Sequence, residues 1–214
     1  MIEGGAGYGF RFGGQHLVAR GSGTLYWPDQ DMLIVADLHL GKSERMARRG
    51  GTLLPPFETR ETLARLGAEL TATRPARLVL LGDIFDDDLA AHALTETDRA
   101  TLDAIAARVE TLFLAGNHDV ASGPVDWACA GLVLRHIAVP GQGPDISGHY
   151  HPKLSLAGRS RPVFLVGRDH LILPAFGHYT GGLAHDAPVL RALVPAGLAV
   201  LTGRRALPLP LPLR

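Results

Sequence analysis

The chain has 214 residues, 46% of them hydrophobic, enough to bury a full core without disulfides or a partner. Its 21 Lys plus Arg balance 21 Asp plus Glu, so no overall field draws it to nucleic acid, a membrane surface or an acidic substrate; any such attraction must be local. The single cysteine, Cys129, excludes an internal disulfide framework and a four-cysteine zinc site, and it suits a reducing compartment. Met1 to Ala6 has neither the cationic nor the apolar region of a secretion signal. The apolar run Ala187 to Leu201 is broken by Arg191, Pro195 and Gly197 and falls short of the roughly 20 residues of a membrane span. A cytoplasmic protein without a membrane partner is expected.

Gln15 to Arg20 and Thr24 to Trp27 read as two strands of a hairpin turning at Gly21-Ser22-Gly23. Met32 to Ala36 is a continuous apolar run, as in a strand buried on both faces. The period then changes. Phe57, Leu63, Leu66 and Leu70 share one helical face, Pro55 and Pro56 stand at its start, and Glu58 and Glu61 suit its positive end. Arg77 to Leu81 is a second buried strand; a helix begins near Thr95 with Leu102, Ile105 and Val109 on its inner face; Thr111 to Ala115 is a third strand. This alternation predicts right-handed crossovers in a parallel sheet.

After residue 130 the pattern is strands alone: Leu132 to His136, Arg161 to Val166, His170 to Leu173 and Leu198 to Thr202, with no helix between them. An antiparallel second half is expected, Ala187 to Leu201 contributing a buried strand with its turn. No linker separates the halves, so their sheets should face each other within one unit. The terminal Leu-Pro repeat is expected to run extended, along a sheet edge or partly disordered.

Ligands of open α/β sheets bind beyond the carboxyl ends of the strands. There the first buried strand carries Asp37-Leu38-His39, the second Gly82-Asp83-Ile84-Phe85-Asp86, and the third Gly116-Asn117-His118-Asp119. The β-rich half adds His136 and then Gly148-His149-Tyr150-His151. Taken singly, each motif is ordinary turn vocabulary, His136 suits a core position as well as a ligand, and His118-Asp119 would also fit a helical phosphohydrolase. Their ordered conjunction argues otherwise. Carboxylate, amide and imidazole donors without thiolate suit manganese, iron or zinc, and seven donors exceed one tetrahedral ion. They suit two divalent ions sharing a bridging carboxylate, about 3.5 to 4 Å apart.

These motifs resemble the five of the calcineurin-like metallophosphoesterases: D-x-H, GD-x-x-D, GNHD, a lone H and GH-x-H. The resemblance implies an α/β fold, a four-layer α-β-β-α sandwich with two facing mixed sheets flanked by helices, as a single domain over residues 1–214. It implies that Asp37, His39 and His151 hold one ion, that Asn117, His136 and His149 hold the other, and that Asp83 bridges them. His118 is then the general acid and Asp86 the carboxylate that orients it. Residues 37–42, 148–152 and 174–182 further resemble the ligase-associated DNA-damage-response endonuclease branch, called PdeM. Ile137 and His178 depart from that branch, where an acidic and a small residue are expected.

The chemistry implied is phosphodiester hydrolysis with two divalent cations, manganese first. DNA would be the substrate, with a ligase and a helicase as repair partners; a homo-oligomer is left open. Lys42, Arg45, Arg48 and Arg49 against Glu44 form a local cationic surplus that could hold flanking phosphates or simply be a solvated face. Tyr150, Phe176 and Tyr179 could stack on bases or close a small core. Two other functions compete: hydrolysis of a nucleotide or other small phosphate ester, and a metal-depleted scaffold. The complete ligand set and an intact His118 argue against the scaffold.

Overall fold

A computed structural model describes residues 7–51, 53–118 and 123–212, so Asp119, Met1 to Ala6 and Leu213 lie outside the described residues. Asp88 is described by its backbone alone. The first sheet runs β1 (Gly7–Phe12), β2 (Gln15–Arg20), β3 (Leu25–Trp27), β4 (Met32–Val35), β5 (Arg77–Leu81) and β6 (Glu110–Leu114), in that spatial order. β1 to β4 pair antiparallel, whereas β4, β5 and β6 pair parallel. Helices α1 (Lys42–Arg48) and α2 (Glu58–Thr73) lie between β4 and β5; α3 (Asp88–Ala93) and α4 (Glu96–Arg108) lie between β5 and β6.

The second sheet comprises β7 (Asp126–Cys129), β8 (Leu132–Arg135), β9 (Asp145–Ser147), β10 (Lys153–Leu156), β11 (Arg159–Val166), β12 (His170–Ile172), β13 (Gly197–Leu201) and β14 (Leu207–Leu211). Its order is β14-β13-β11-β12-β9-β8-β7, with β10 paired to β11. Here the antiparallel expectation is corrected: β9 pairs parallel with both β8 and β12, making this sheet mixed as well. A helix, α5 (Pro188–Leu193), also stands where a strand was expected. Pro188 opens it, needing no N–H at the first helical turn, and Leu190 and Leu193 face inward. The Leu-Pro segment forms the edge strand β14, where proline's missing N–H is tolerated.

Strand periodicity distributes the apolar residues among three cores. Met32, Ile34 and Ala36 point between the sheets, where they join Leu132, Leu134, Ile146, Phe164 and Val200 from the second sheet. Leu33 and Val35 point the other way, onto Leu63, Leu66 and Leu70 of α2 and Ile105 of α4. On the far side, Leu190 and Leu193 cover Val163, Leu165, Ile172 and Ala199. The result is helix, sheet, sheet, helix. Phe57 is the exception to the predicted helical face: it caps α2 and is 55% exposed. Glu58 turns inward instead and accepts the Ser43 N–H at 3.1 Å, while Thr59 Oγ1 accepts the Gly41 N–H at 2.9 Å. The first turn of α2 thereby anchors the first turn of α1.

Phe164 is fully buried between the sheets, so Phe164→Ala should cost about 3 to 5 kcal/mol of unfolding free energy. Leu207→Ala, at a half-exposed position of the edge strand, should change it by less than about 0.5 kcal/mol. Urea denaturation of the two variants compares them directly.

Candidate metal centre

Each parallel strand of the first sheet delivers its motif just past its carboxyl end, and the turns that do so are unusual. Asp37, His39, Asp83, His149 and His151 all adopt left-handed backbone, with φ of 55°, 45°, 48°, 70° and 45°. Asp and His tolerate that region better than most side chains do, but it still costs free energy that the surroundings must offset. Gly82 (φ 72°) could carry no side chain, because a Cβ would stand 2.6 Å from Gly116 Cα and 2.7 Å from His136 Nδ1. A Cβ on Gly148 would stand 2.5 Å from Asp37 Oδ2. Close backbone approach here is a requirement of the site.

Two groups of donor atoms result, Asp37 with His39 and His151, and Asp83 with His136 and His149; within each, the donors lie within 4.8 Å of one another. In the first, His39 Nε2 is 3.3 Å from His151 Nε2, and His151 Nε2 is 3.5 Å from Asp37 Oδ1. In the second, His136 Nε2 is 3.2 Å from His149 Nδ1, 3.4 Å from Asp83 Oδ2 and 2.9 Å from Asn117 Oδ1, so Asn117 joins this group. Asp83 Oδ2 also lies 3.9 Å from His39 Nε2, so it faces both groups. Donors bound to one ion at about 2.0 to 2.2 Å stand roughly 3 to 3.6 Å apart, which is the spacing found.

Hydrogen bonding gives an independent test of whether cations fit. A carbonyl accepts only, so His136 Nδ1, 2.8 Å from Leu81 O, must donate its proton there. In the neutral ring Nε2 then offers a lone pair, and it faces an amide oxygen and a carboxylate oxygen, neither of which has a proton to give. Asp37 is fully buried; its Oδ2 accepts the His149 N–H at 2.9 Å, and its Oδ1 has no hydrogen-bond partner among the described residues. A buried anionic oxygen without a donor is costly, and a cation in front of it removes the cost. The residues present fit two divalent ions.

Charge shifts follow the same geometry. Burial opposes ionisation of Asp83, but His136 and the His118 N–H at 2.9 Å outweigh it and hold the carboxyl down at about 2. Burial would also lower His136, yet Asp83 and Asp37 raise it. His149 is lowered, by burial and by the neighbouring His136.

Asp86 requires a correction. The resemblance has it orienting His118; instead it is buried with Oδ1 2.9 Å from His39 Nδ1, 3.3 Å from Lys42 Nζ, and with Oδ2 paired to Arg45 Nε. Burial disfavours its charge, but His39, Lys42 and Arg45 prevail and keep it well below the usual carboxylate range. It stands three residues beyond Asp83 on a turn that has already changed direction, so it reaches the ring of the first group. His118 stands at the mouth instead, 38% exposed, with Nε2 3.9 Å from Asp83 Oδ2 and its ring edge-on to His39 at 5.5 Å.

The substrate candidates fare differently. Lys42 and Arg45 engage Asp86, and Arg48 engages Glu44 and Asp87. Tyr150 packs edge-on against the His149 ring at 5.0 Å and onto the third core. Tyr179 is 42% exposed beside a cavity shared with Phe176, Lys153 and Arg65. Sequence reasoning missed the Leu81 carbonyl, which no side chain marks. It also missed Lys153, whose position two residues after His151 repeats the spacing of the ligands themselves.

No protein-family model matches this chain, and no curated protein matches it. Among solved structures, it is similar to the Pseudomonas putida nuclease MPE, at a TM-score of 0.78 and 28% sequence identity. The match covers 95% of this chain and 100% of that one, so the two share the whole sandwich architecture.

Proposed function

We propose that this protein is a metal-dependent nuclease that hydrolyses phosphodiester bonds of DNA. The observation that carries the reading is that Asp83 Oδ2 faces both donor groups, at 3.4 Å from His136 and 3.9 Å from His39, as a carboxylate shared by two ions must. Similarity to nuclease MPE supports the substrate class. Asp37, His39 and His151 would hold one ion, Asn117, His136 and His149 the other, with Asp83 between them. The resemblance of residues 37–42, 148–152 and 174–182 supports the finer assignment: manganese as the ion, one catalytic domain spanning residues 1–214, and a role in the DNA damage response beside a ligase and a helicase.

Two divalent cations bound there would supply a nucleophilic water at neutral pH and offset phosphoryl charge during in-line displacement. The remaining work falls to the chain. His118, half-open to solvent at the mouth, is placed to give a proton to the departing oxygen, while its backbone N–H holds Asp83. Asp86 fixes the ring of His39 through Nδ1 and leaves Nε2 facing the site, and the Leu81 carbonyl does the same for His136. Both are positioning groups.

Purified protein with manganese should cleave labelled single-stranded or duplex DNA and turn over bis-p-nitrophenyl phosphate; turnover of a free nucleotide without DNA cleavage would move the assignment to a small-molecule phosphohydrolase. His118→Ala should keep its metal and lose about 10²- to 10⁴-fold in turnover. Unchanged turnover removes His118 from the chemistry. Asp83→Asn should lose both ions, and elemental analysis showing two retained ions contradicts the shared carboxylate.

A further inference from the structure

The cations that the sequence marks as a strand-binding patch already have partners. Lys42 and Arg45 engage Asp86, Arg48 engages Glu44 and Asp87, and Arg49 engages Asp87. Every one of these side chains has a carboxylate within 3.5 Å, so the patch presents little net charge to an incoming polyanion.

A second group of cations lacks such partners. Two cavities open side by side and share Pro162 and Thr202 in their walls. The first, about 280 Å³, is bordered by Arg65, Lys153 and His178 together with the hydroxyl residues Ser22 and Thr180. The second, about 700 Å³, is bordered by Arg161, Arg204 and Arg205, all three exposed. Neither wall contains an Asp or Glu, and none of these Lys and Arg side chains has a carboxylate within 4.0 Å among the described residues. Acids of α2 act on this group from outside the walls: Glu61 is 3.6 Å from His178, and Glu61 and Glu69 both favour the charge of Arg65. In a chain of zero net charge, this is a local surplus in space.

The surplus is built on fixed backbone and begins at the metal centre. Phe176 and Gly177, in the wall of the first cavity, donate their N–H groups to the carbonyls of Ala36 and Asp37 at 2.9 and 3.0 Å. Lys153 stands two residues beyond His151 and donates to Thr180 O at 2.7 Å. Arg65 stacks over the Phe176 ring at 4.3 Å and spends two donors on Phe176 O and Ser22 O, leaving others free. Where the cavities meet, Thr202 donates its N–H and its hydroxyl to Pro162 O at 3.0 and 2.9 Å, and Gly203 N–H donates to Gly21 O at 2.8 Å. The floor therefore joins the second sheet to the first.

We propose that a nucleic-acid strand leaves the metal centre past Lys153 and Arg65, crosses the Pro162–Thr202 floor, and is held by its phosphates at Arg161, Arg204 and Arg205. This path rests on the nuclease reading above and assigns it a substrate channel. Guanidinium and ammonium groups contact phosphates without reading bases, and Ser22 and Thr180 add neutral donors, so the path should bind single strands with little sequence preference.

The test replaces Arg161, Arg204 and Arg205 together by Glu, all at exposed positions that leave the core intact, with Arg168→Ala at the opposite end of β11 as control. Anisotropy of a labelled single-stranded oligonucleotide gives affinity across a salt series, and bis-p-nitrophenyl phosphate turnover in manganese is read on the same samples. The expected result is at least a tenfold loss of affinity for the triple variant and a salt dependence reduced by about 2 in log–log slope, near 0.7 per lost phosphate contact. Small-ester turnover and the control should match the unaltered protein. Unchanged affinity and slope in the triple variant, or no oligonucleotide binding by the unaltered protein at low salt, overturns the path. Oligonucleotide binding that depends on the three arginines, without turnover of any phosphodiester, would leave the path standing and remove the nuclease reading.

Discussion

Electron-pair donors buried face to face repel one another unless positive charge stands between them, and the centre of this protein is organised around that constraint. Three carboxylates, Asp37, Asp83 and Asp86, are almost fully buried at the carboxyl ends of the first sheet. Each meets the constraint differently. Asp86 is matched within the chain by Lys42 and Arg45. Asp83 leans on the His118 N–H through one oxygen, while its second oxygen faces three imidazoles, those of His39, His118 and His136. Among the described residues, Asp37 keeps one oxygen without a hydrogen-bond donor. The raised affinity of His136 for a proton is the same demand expressed in another form, since that proton takes the place a cation would occupy.

Neither donor group belongs to one sheet. Asp37 and His39 follow β4, Asp83 follows β5 and Asn117 follows β6, whereas His136 follows β8 and His149 and His151 follow β9. Each group closes only when the two sheets pack at the right separation, which Phe164, Leu134 and Ile146 set against Met32, Ile34 and Val79. Five donor residues in left-handed backbone, at roughly 1 to 3 kcal/mol each where strain is full, mean that the apolar core stabilises a centre that local preference would not form. Ions bound at this centre in the folded chain alone would return part of that free energy by mass action, so core packing and metal affinity would be coupled.

Elements whose signal is local and strong could be read in the sequence. Met32 to Val35, Arg77 to Leu81 and Glu110 to Leu114 are apolar runs of strand length, and Leu63, Leu66 and Leu70 repeat at helical spacing. Those whose stability is borrowed could not. β1 alternates glycine with aromatic residues and forms by pairing with β2; β9 has three residues and exists because β8 and β12 flank it. α5 carries an apolar run as strand-like as any, and only Pro188 and the inward leucines on one face distinguish it. The donor residues could be picked out because each motif follows the end of a strand, although left-handed turns there send His149 and His151 to different groups. The role of Asp86 could not be read, because a motif preserves order along the chain and says nothing about the direction a side chain takes after a turn.

The same distinction governs charge. Lys42, Arg45, Arg48 and Arg49 are a surplus along the chain, but α1 is anchored by Glu58 and Thr59 against the loop that carries Asp86 and Asp87, so folding brings their counter-charges to them. Two of those cations then act at one remove: by keeping Asp86 ionised, they strengthen the partner that fixes the His39 ring. Lys153, Arg161, Arg204 and Arg205 are dispersed over some fifty residues, yet the fold gathers them in the walls of two adjoining cavities. A polyanion responds to the folded distribution. Where two charge groupings compete for the same role, the one whose carboxylate partners lie elsewhere is the one able to act on a substrate.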